Sequence, residues 1–255
     1  MKNRLRVLII GLISLALYSC EKNANQIIDT KEFNGPFLRG YNFSPSGPTV
    51  NVYVNDIKVT AIGSTNGKEA TAGIAAYGVF PTTNSYVNLT SKGNVTVKSV
   101  IPSTATTNPG VVTSTINGDL QEGKYYSFFT CGLYNTTDKT TSSVILEDKI
   151  PTLDTAAAYL RFVNLVPNAP NGYDLVITNR ATSQVINLSP TLAFKAASDF
   201  VKVPAGIYDL RASSVGGTVI NRTELTISKS YVYSLITRGT AVTASTLAID
   251  MTRNR

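Results

Sequence analysis

Histidine is absent from the chain. Its absence removes Ser-His-Asp triads, Cys-His pairs, histidine-ligated zinc and histidine proton shuttles from the chemistry these residues could perform. Carboxylates, lysines, tyrosines and serines remain. The close carboxylate pairs are Asp119 with Glu122 and Glu147 with Asp148. A glycosidase faces two carboxyl groups across a pocket, usually from separate elements. Neither pair has that arrangement, and Gly118 and Gly123 mark Asp119 and Glu122 as turn residues. Asn55-Asp56 and Asn117-Gly118-Asp119 come nearest to a calcium loop but lack its ordered series of oxygen ligands. The residues therefore point to no catalytic group, no metal site and no cofactor. A carboxylate-dependent hydrolase stays open as a third reading, decided by turnover that substitution of Asp119 or Glu147 abolishes.

Binding chemistry has better candidates. Arg39 and Arg161 each stand in an apolar strand-like segment, and a guanidinium fork recognises carboxylates and sugar acids bidentately. Either arginine could equally stack on a tyrosine or pair with a carboxylate inside the fold, and their recurrence favours that structural service. Two segments of the first half, Ile62 to Val79 and Pro102 to Gly110, have only shorter counterparts in the second. Loops that a scaffold does not need are where recognition concentrates. With Tyr77, Phe80 and Tyr86 nearby for stacking, they could contact a glycan or a protein. The alternative is variable solvent loop. Cys131, beside Phe128, Phe129 and Leu133, reads as a small buried hydrophobe at a strand end.

The elements that must position these residues are strands. Segments rich in Val, Ile, Tyr and Thr alternate with Gly, Asn, Pro and Ser clusters, without long helical periodicity. Val50, Val52 and Val54 share one strand face; Val95 and Val97, Tyr208 and Leu210, and Leu225 and Ile227 repeat the alternation. Gly216-Gly217 reads as a hairpin turn. Self-comparison shows a duplication. Phe37 to Pro48 aligns without a gap on Tyr159 to Pro170, keeping the aromatic, Leu, Arg, Asn and both Pro positions. Tyr86 to Leu89 then matches Phe200 to Val203, and Tyr126 to Gly132 matches Tyr233 to Gly239. Four blocks counting the strands that follow the first, all in one order, predict two copies of a β-domain, each of two sheets packed face to face.

The amino terminus predicts an address. Lys2, Arg4 and Arg6 precede an apolar run from Val7 to Leu17, the layout of a secretory signal peptide. Ser19-Cys20 resembles the lipobox read by lipoprotein signal peptidase, which implies a mature chain beginning at Cys20 and carrying lipid there. An ordinary signal peptide with an incidental cysteine is the other reading. Without the three basic residues of the signal, the net charge falls from +7 to +4, with 20 basic against 16 acidic residues. No basic stripe follows, so nucleic acid is not an expected partner. The membrane, through the lipid, is.

At the repeated blocks the chain resembles the bacterial domain of unknown function 4397. The resemblance lies in Leu-Arg-x-x-Asn-x-x-Pro-x-x-Pro at the opening of each copy, in Asn51-Val52-Tyr53-Val54-Asn55, and in Val203-Pro204-Ala205-Gly206-Ile207-Tyr208. Copy one has Leu89 to Gly93 in place of the Pro-Ala-Gly hairpin, and copy two has Leu175-Val176-Ile177 in place of Val-Tyr-Val. The resemblance implies an envelope or secreted protein of immunoglobulin-like sandwiches, with no established activity. The expected fold class is thus all-β, two tandem immunoglobulin-like antiparallel β-sandwich domains after a lipoprotein signal peptide. The expected boundaries are 1–19 signal peptide, 20–36 lipidated tether, 37–150 first domain, 151–158 linker and 159–255 second domain. Asp154-Thr155-Ala156 resembles the Asp-Ser/Thr-apolar acceptor of protein O-glycosylation in Bacteroidetes, which would modify Thr155. The leading expectation is an outer-membrane lipoprotein acting as a surface binding or adhesion module for a glycan or protein. The alternative is a structural periplasmic lipoprotein in an envelope assembly. Glu21 alone beside Cys20 is less than an acidic export cluster and leaves the membrane face open.

Overall fold

A computed structural model describes residues 34–60, 64–65, 68–69, 72–241 and 243–255. The expected signal peptide, Cys20 and most of the tether lie outside the described residues, as does part of the Ile62 to Val79 segment. The described chain is all β, with no helix among its elements. The first half contains β1 (Phe37–Asn42), β2 (Asn51–Val54), β3 (Ile57–Lys58), β4 (Ser64–Thr65), β5 (Lys68–Glu69), β6 (Gly78–Phe80), β7 (Val87–Asn88), β8 (Gly93–Val100), β9 (Val112–Leu120), β10 (Tyr125–Asn135) and β11 (Thr140–Glu147). The second contains β12 (Ala158–Asn164), β13 (Tyr173–Asn179), β14 (Val185–Leu192), β15 (Val201–Val203), β16 (Gly206–Ser213), β17 (Ile220–Ile227), β18 (Val232–Thr240) and β19 (Thr243–Arg253).

Four main sheets result. In the first half, one runs β11-β10-β1-β6, with β7 also on β1, and another runs β3-β2-β8-β9. The second half has β19-β18-β12-β15 and β14-β13-β16-β17. Not all pairing is antiparallel, as the sequence reading expected. β1 lies parallel to β10, with Arg39 opposite Ser127, and β12 lies parallel to β18, with Arg161 opposite Ser234. Parallel neighbours need a long crossover, and here the crossovers contain β2 to β9 in the first half and β13 to β17 in the second. Alternating patterns in short strands carry no information about direction, which is why the sequence could not foretell it.

Burial separates two kinds of strand. β8 and β13 bury alternate residues, and Val95, Val97, Leu175 and Ile177 face one side. Such strands have one face in a core and one in solvent. By contrast, β1 is buried from Leu38 to Asn42, β10 from Tyr126 to Gly132, and β12 and β18 almost throughout. These strands are covered on both faces. One core joins the two sheets of the first half around Leu38, Val52, Val97 and Phe128. A second joins the sheets of the other half around Phe162, Leu175, Tyr208 and Leu235. The third core lies between the halves, where Tyr41, Phe43, Phe129 and Cys131 meet Val163, Leu165 and Ile236. The sheets are thus stacked four deep, with β1, β10, β12 and β18 inside.

Gly132 and Gly239 occupy matching places at irregularities of β10 and β18, at φ of 86° and 98°. A side chain there would strike Ser142 Oγ in the first case and the Thr246 carbonyl in the second. Only glycine fits such a conformation without strain. The same irregularity carries β10 beyond Cys131 to Asn135, so Cys131 is inside a strand rather than at its end. The polar residues Thr140 to Ser143 form the first half of β11. The Gly216 turn does join β16 to β17, through a loop from Ser214 to Val219.

Candidate functional site

The buried charged side chains among the described residues are Arg39, Arg161 and Asp148, each 2% exposed. All three lie at the junction of the halves. Asp148 follows β11 and is held by the bond from its N–H to the Tyr125 carbonyl, 2.7 Å. Arg161 Nη2 donates to its Oδ1 at 2.5 Å, while Ser127 Oγ and Tyr86 Oη donate to Oδ2, each at 2.7 Å. Arg161 Nε donates to Ser234 Oγ at 2.7 Å, which donates to Asn254 Oδ1 at 2.8 Å. The Asn254 amide closes the circuit by donating to Tyr86 Oη at 2.8 Å. This is a buried ion pair with nearly every polar atom satisfied, the condition under which such a pair is tolerated. Burial, reinforced by Asp148, drives the Tyr86 phenol above its ordinary range.

Arg39 has no such arrangement. Its Nη1 donates to the Arg253 carbonyl at 2.5 Å, its guanidinium lies 5.6 Å from the Tyr41 ring centre, and its Nε has no acceptor. The contrast falls on matching places in two halves of like strand order. Tyr126 pairs with Glu147 and Tyr233 with Arg253, so Glu147-Asp148 corresponds in place to Arg253-Asn254. The backbone confirms this: Asn254 N–H bonds the Val232 carbonyl as Asp148 N–H bonds that of Tyr125, each at 2.7 Å. Each arginine also donates to the carbonyl before that position, Arg161 to Glu147 at 3.4 Å and Arg39 to Arg253. Asp148 is therefore the carboxylate of Arg161, and an asparagine occupies the place where Arg39 would find its own.

Each arginine opens on a cleft. The one at Arg39 has a volume of about 530 Å³ and is walled by β1, β6 and the following loop on one side and by β17, β18 and β19 on the other. Arg39, Arg222, Arg238 and Arg253 line it, with Asp250 as its only acidic lining residue. Arg238 pairs with Asp250 at 2.6 Å and lies 4.0 Å over the Tyr77 ring. Arg253 lies 4.4 Å over Tyr231, and Asn84, with its amide oxygen turned inward, accepts from Arg253 Nε at 2.6 Å. Arg222 donates to the Ile249 carbonyl. The Tyr41 hydroxyl, beside Thr252, makes no hydrogen bond of ordinary geometry, and burial raises its pKa. The cleft at Arg161, about 350 Å³, is balanced in charge: Arg161 and Lys149 against Glu147 and Asp199. Phe200 covers the Arg161 guanidinium at 4.9 Å.

Of the sequence-derived binding candidates, Arg39 and Tyr77 meet in the larger cleft. Tyr86 is committed to Asp148 and Asn254, and Phe80 packs on the first core. Arg161 is engaged by Asp148. Thr155 is exposed; Asp154 beside it accepts the Ala156 N–H and pairs with Lys202 at 2.8 Å, which holds its carboxyl below the usual range. Asp119 and Glu122 are engaged on the surface by Gln121 and Lys92, and Glu147 by Lys124. Cys131 is buried in the third core, and burial raises its thiol to about 11. Asp148, Arg238, Arg253 and Asn254 were missed as site residues. Continuing the alignment of Tyr126 with Tyr233 sets Asp148 over Arg255, one place beyond Asn254, so the match of Asp148 with Asn254 is visible only in the strand pairing.

Among solved structures, the chain is similar to the Bacillus anthracis TIE protein, at 11% identity and a TM-score of 0.22, over 81% of this chain and 34% of that one. It thus spans about a third of that protein. It is also similar to a candidate cell adhesion protein of Bacteroides ovatus, at 12% identity and a TM-score of 0.23, over 87% of this chain and 96% of the other. No curated protein matches. The family model described as a domain of unknown function, DUF4397, matches residues 36–172, taking in the whole first half and the opening of the second, and the chain belongs to that family.

Proposed function

We propose that this chain is a non-catalytic binding module of the bacterial cell envelope, anchored in the outer membrane by lipid on Cys20 and recognising a glycan or protein. Its second half is a second copy of the family domain, and both halves are immunoglobulin-like. The observation that carries the reading is the junction cleft at Arg39, a concave site lined by four guanidinium groups and one carboxylate. Sites of this size and mixed lining are where ligands are held. The matching strand orders of the two halves support the duplication. The surface engagement of Asp119 by the Gln121 amide, and of Glu122 and Glu147 by lysines, speaks against a carboxylate hydrolase.

Protease shaving of intact cells, with Cys20→Ala as the anchor control, tests the placement. Loss of the domains from intact cells, with the variant released into soluble fractions, is the expected result. Protection until the outer membrane is broken would replace surface binding with the periplasmic structural role. A glycan and protein array then tests recognition itself.

A further inference from the structure

We infer that the Arg39 cleft binds the carboxylate of an acidic sugar, an assignment that rests on the binding-module reading above. Two buried guanidiniums share the junction with one buried carboxylate, and Arg161 holds that carboxylate at 2.5 Å. Arg39 is 2% exposed, keeps an orphaned Nε, and has a single backbone carbonyl as acceptor. A buried cation without a counter-charge is costly, and ordinary core packing would replace it with an apolar residue. The second half places Asn254 where the first places Asp148, so among the described residues Arg39 has no carboxylate partner while the space beside it stays open.

The pair in the other half identifies the class of ligand. Asp148 shows what this arginine position accepts: a planar, two-oxygen anion taking charge-assisted hydrogen bonds. The cleft of about 530 Å³ has room for much more than a carboxylate group. Its remaining lining includes Thr82, Asn84 and Thr252, whose hydroxyl and amide groups suit the hydroxyls of a sugar ring. Arg222 and Arg253 add positive potential that draws an acid inward.

Titration calorimetry of the full chain in detergent with D-glucuronate, D-glucose and N-acetyl-aspartate tests the inference. Glucuronate is expected to bind saturably and glucose weakly, with Arg39→Met lowering glucuronate affinity about tenfold or more. Asn84→Asp changes an exposed loop residue and sets a negative charge at the cleft mouth. It should weaken glucuronate several-fold at an unchanged melting temperature, which keeps the test independent of how Arg39→Met folds. Glucuronate affinity unchanged in Asn84→Asp and in a folded Arg39→Met overturns the site. Binding of N-acetyl-aspartate without glucuronate overturns the sugar assignment in favour of an acidic peptide. Failure of glucuronate to bind, with neutral glycans or a protein still retained on the array, removes this inference alone. Retention of nothing on the array removes the binding module with it.

Discussion

Arg161 and Arg39 lie at matching places, in β12 beside β18 and in β1 beside β10, and have opposite circumstances. Arg161 reaches a carboxylate, two serines and a backbone carbonyl, and its cleft is balanced in charge. Arg39 reaches one carbonyl, and its cleft carries an excess of three positive groups. A second position differs in the same sense: Cys131 in β10 matches Arg238 in β18, so the first half buries a thiol where the second sends a cation to the cleft. The two halves share one strand order. The differences at Asp148 and Asn254, and at Cys131 and Arg238, made one end of the junction structural and left the other open.

The largest expected effect is at the closed end. Asp148→Asn leaves Arg161 buried without a counter-charge and should cost about 3–5 kcal/mol of stability, read from urea unfolding. Arg161→Met, which leaves Asp148 unpaired, should cost a similar amount. A loss below about 1 kcal/mol in both would mean that the closed end is no better satisfied than the open one.

The glycine pair gives the next comparison. At φ near 90° an alanine is strained in either half, by about 1–3 kcal/mol. In Gly132→Ala the added methyl meets the Ser142 hydroxyl, which can rotate away; in Gly239→Ala it meets the Thr246 backbone, which cannot. Gly239→Ala is therefore expected near the upper figure and Gly132→Ala near the lower. Equal melting temperatures for the two variants would contradict the difference in their surroundings.

Cys131 allows a pH test of the buried position. Its folded pKa of about 11 lies above the ordinary value of 9.0, so the folded state holds the proton more tightly. The contribution is fully present below pH 9 and is lost as pH rises from 9 to 11, by a couple of kcal/mol at most (~1.4 per unit). Cys131→Val should show a shallower alkaline loss than the parent over that window. An identical pH dependence would place the thiol in contact with solvent, as would rapid alkylation in the native state.

Much of the fold was legible before any coordinates. Alternating Val95-Val97 and Leu225-Ile227 mark strands with one buried face because burial on one side imposes a period of two. The four-layer stack was not read, although its signal was present. Tyr126 to Gly132 and Tyr159 to Asn164 do not alternate, as strands covered on both faces do not. Parallel pairing left no trace, since direction depends on the path of the chain between strands. At the site, Arg39 and Tyr77 were legible as residue types suited to binding. Asp148 reads in the sequence as half of an adjacent carboxylate pair, because adjacency at a strand end conceals that Glu147 and Asp148 face opposite ways, one to Lys124 and one to Arg161.

The smallest expected effect is the most informative for the open end. Arg39→Met removes a buried charge that has no carboxylate and forfeits one hydrogen bond to the Arg253 carbonyl. Relief of the desolvated charge, about 3 kcal/mol, opposes the loss of a charged hydrogen bond and of the contact with the Tyr41 ring, together about 2–4 kcal/mol. The variant should unfold within about 1 kcal/mol of the parent, several-fold less change than Arg161→Met, although the two arginines are equally buried. If Arg39→Met instead costs as much as Arg161→Met, Arg39 is a structural cation and the two ends of the junction are alike. If it is neutral, the fold has no need of that charge, and a requirement outside the folded chain has kept an arginine there.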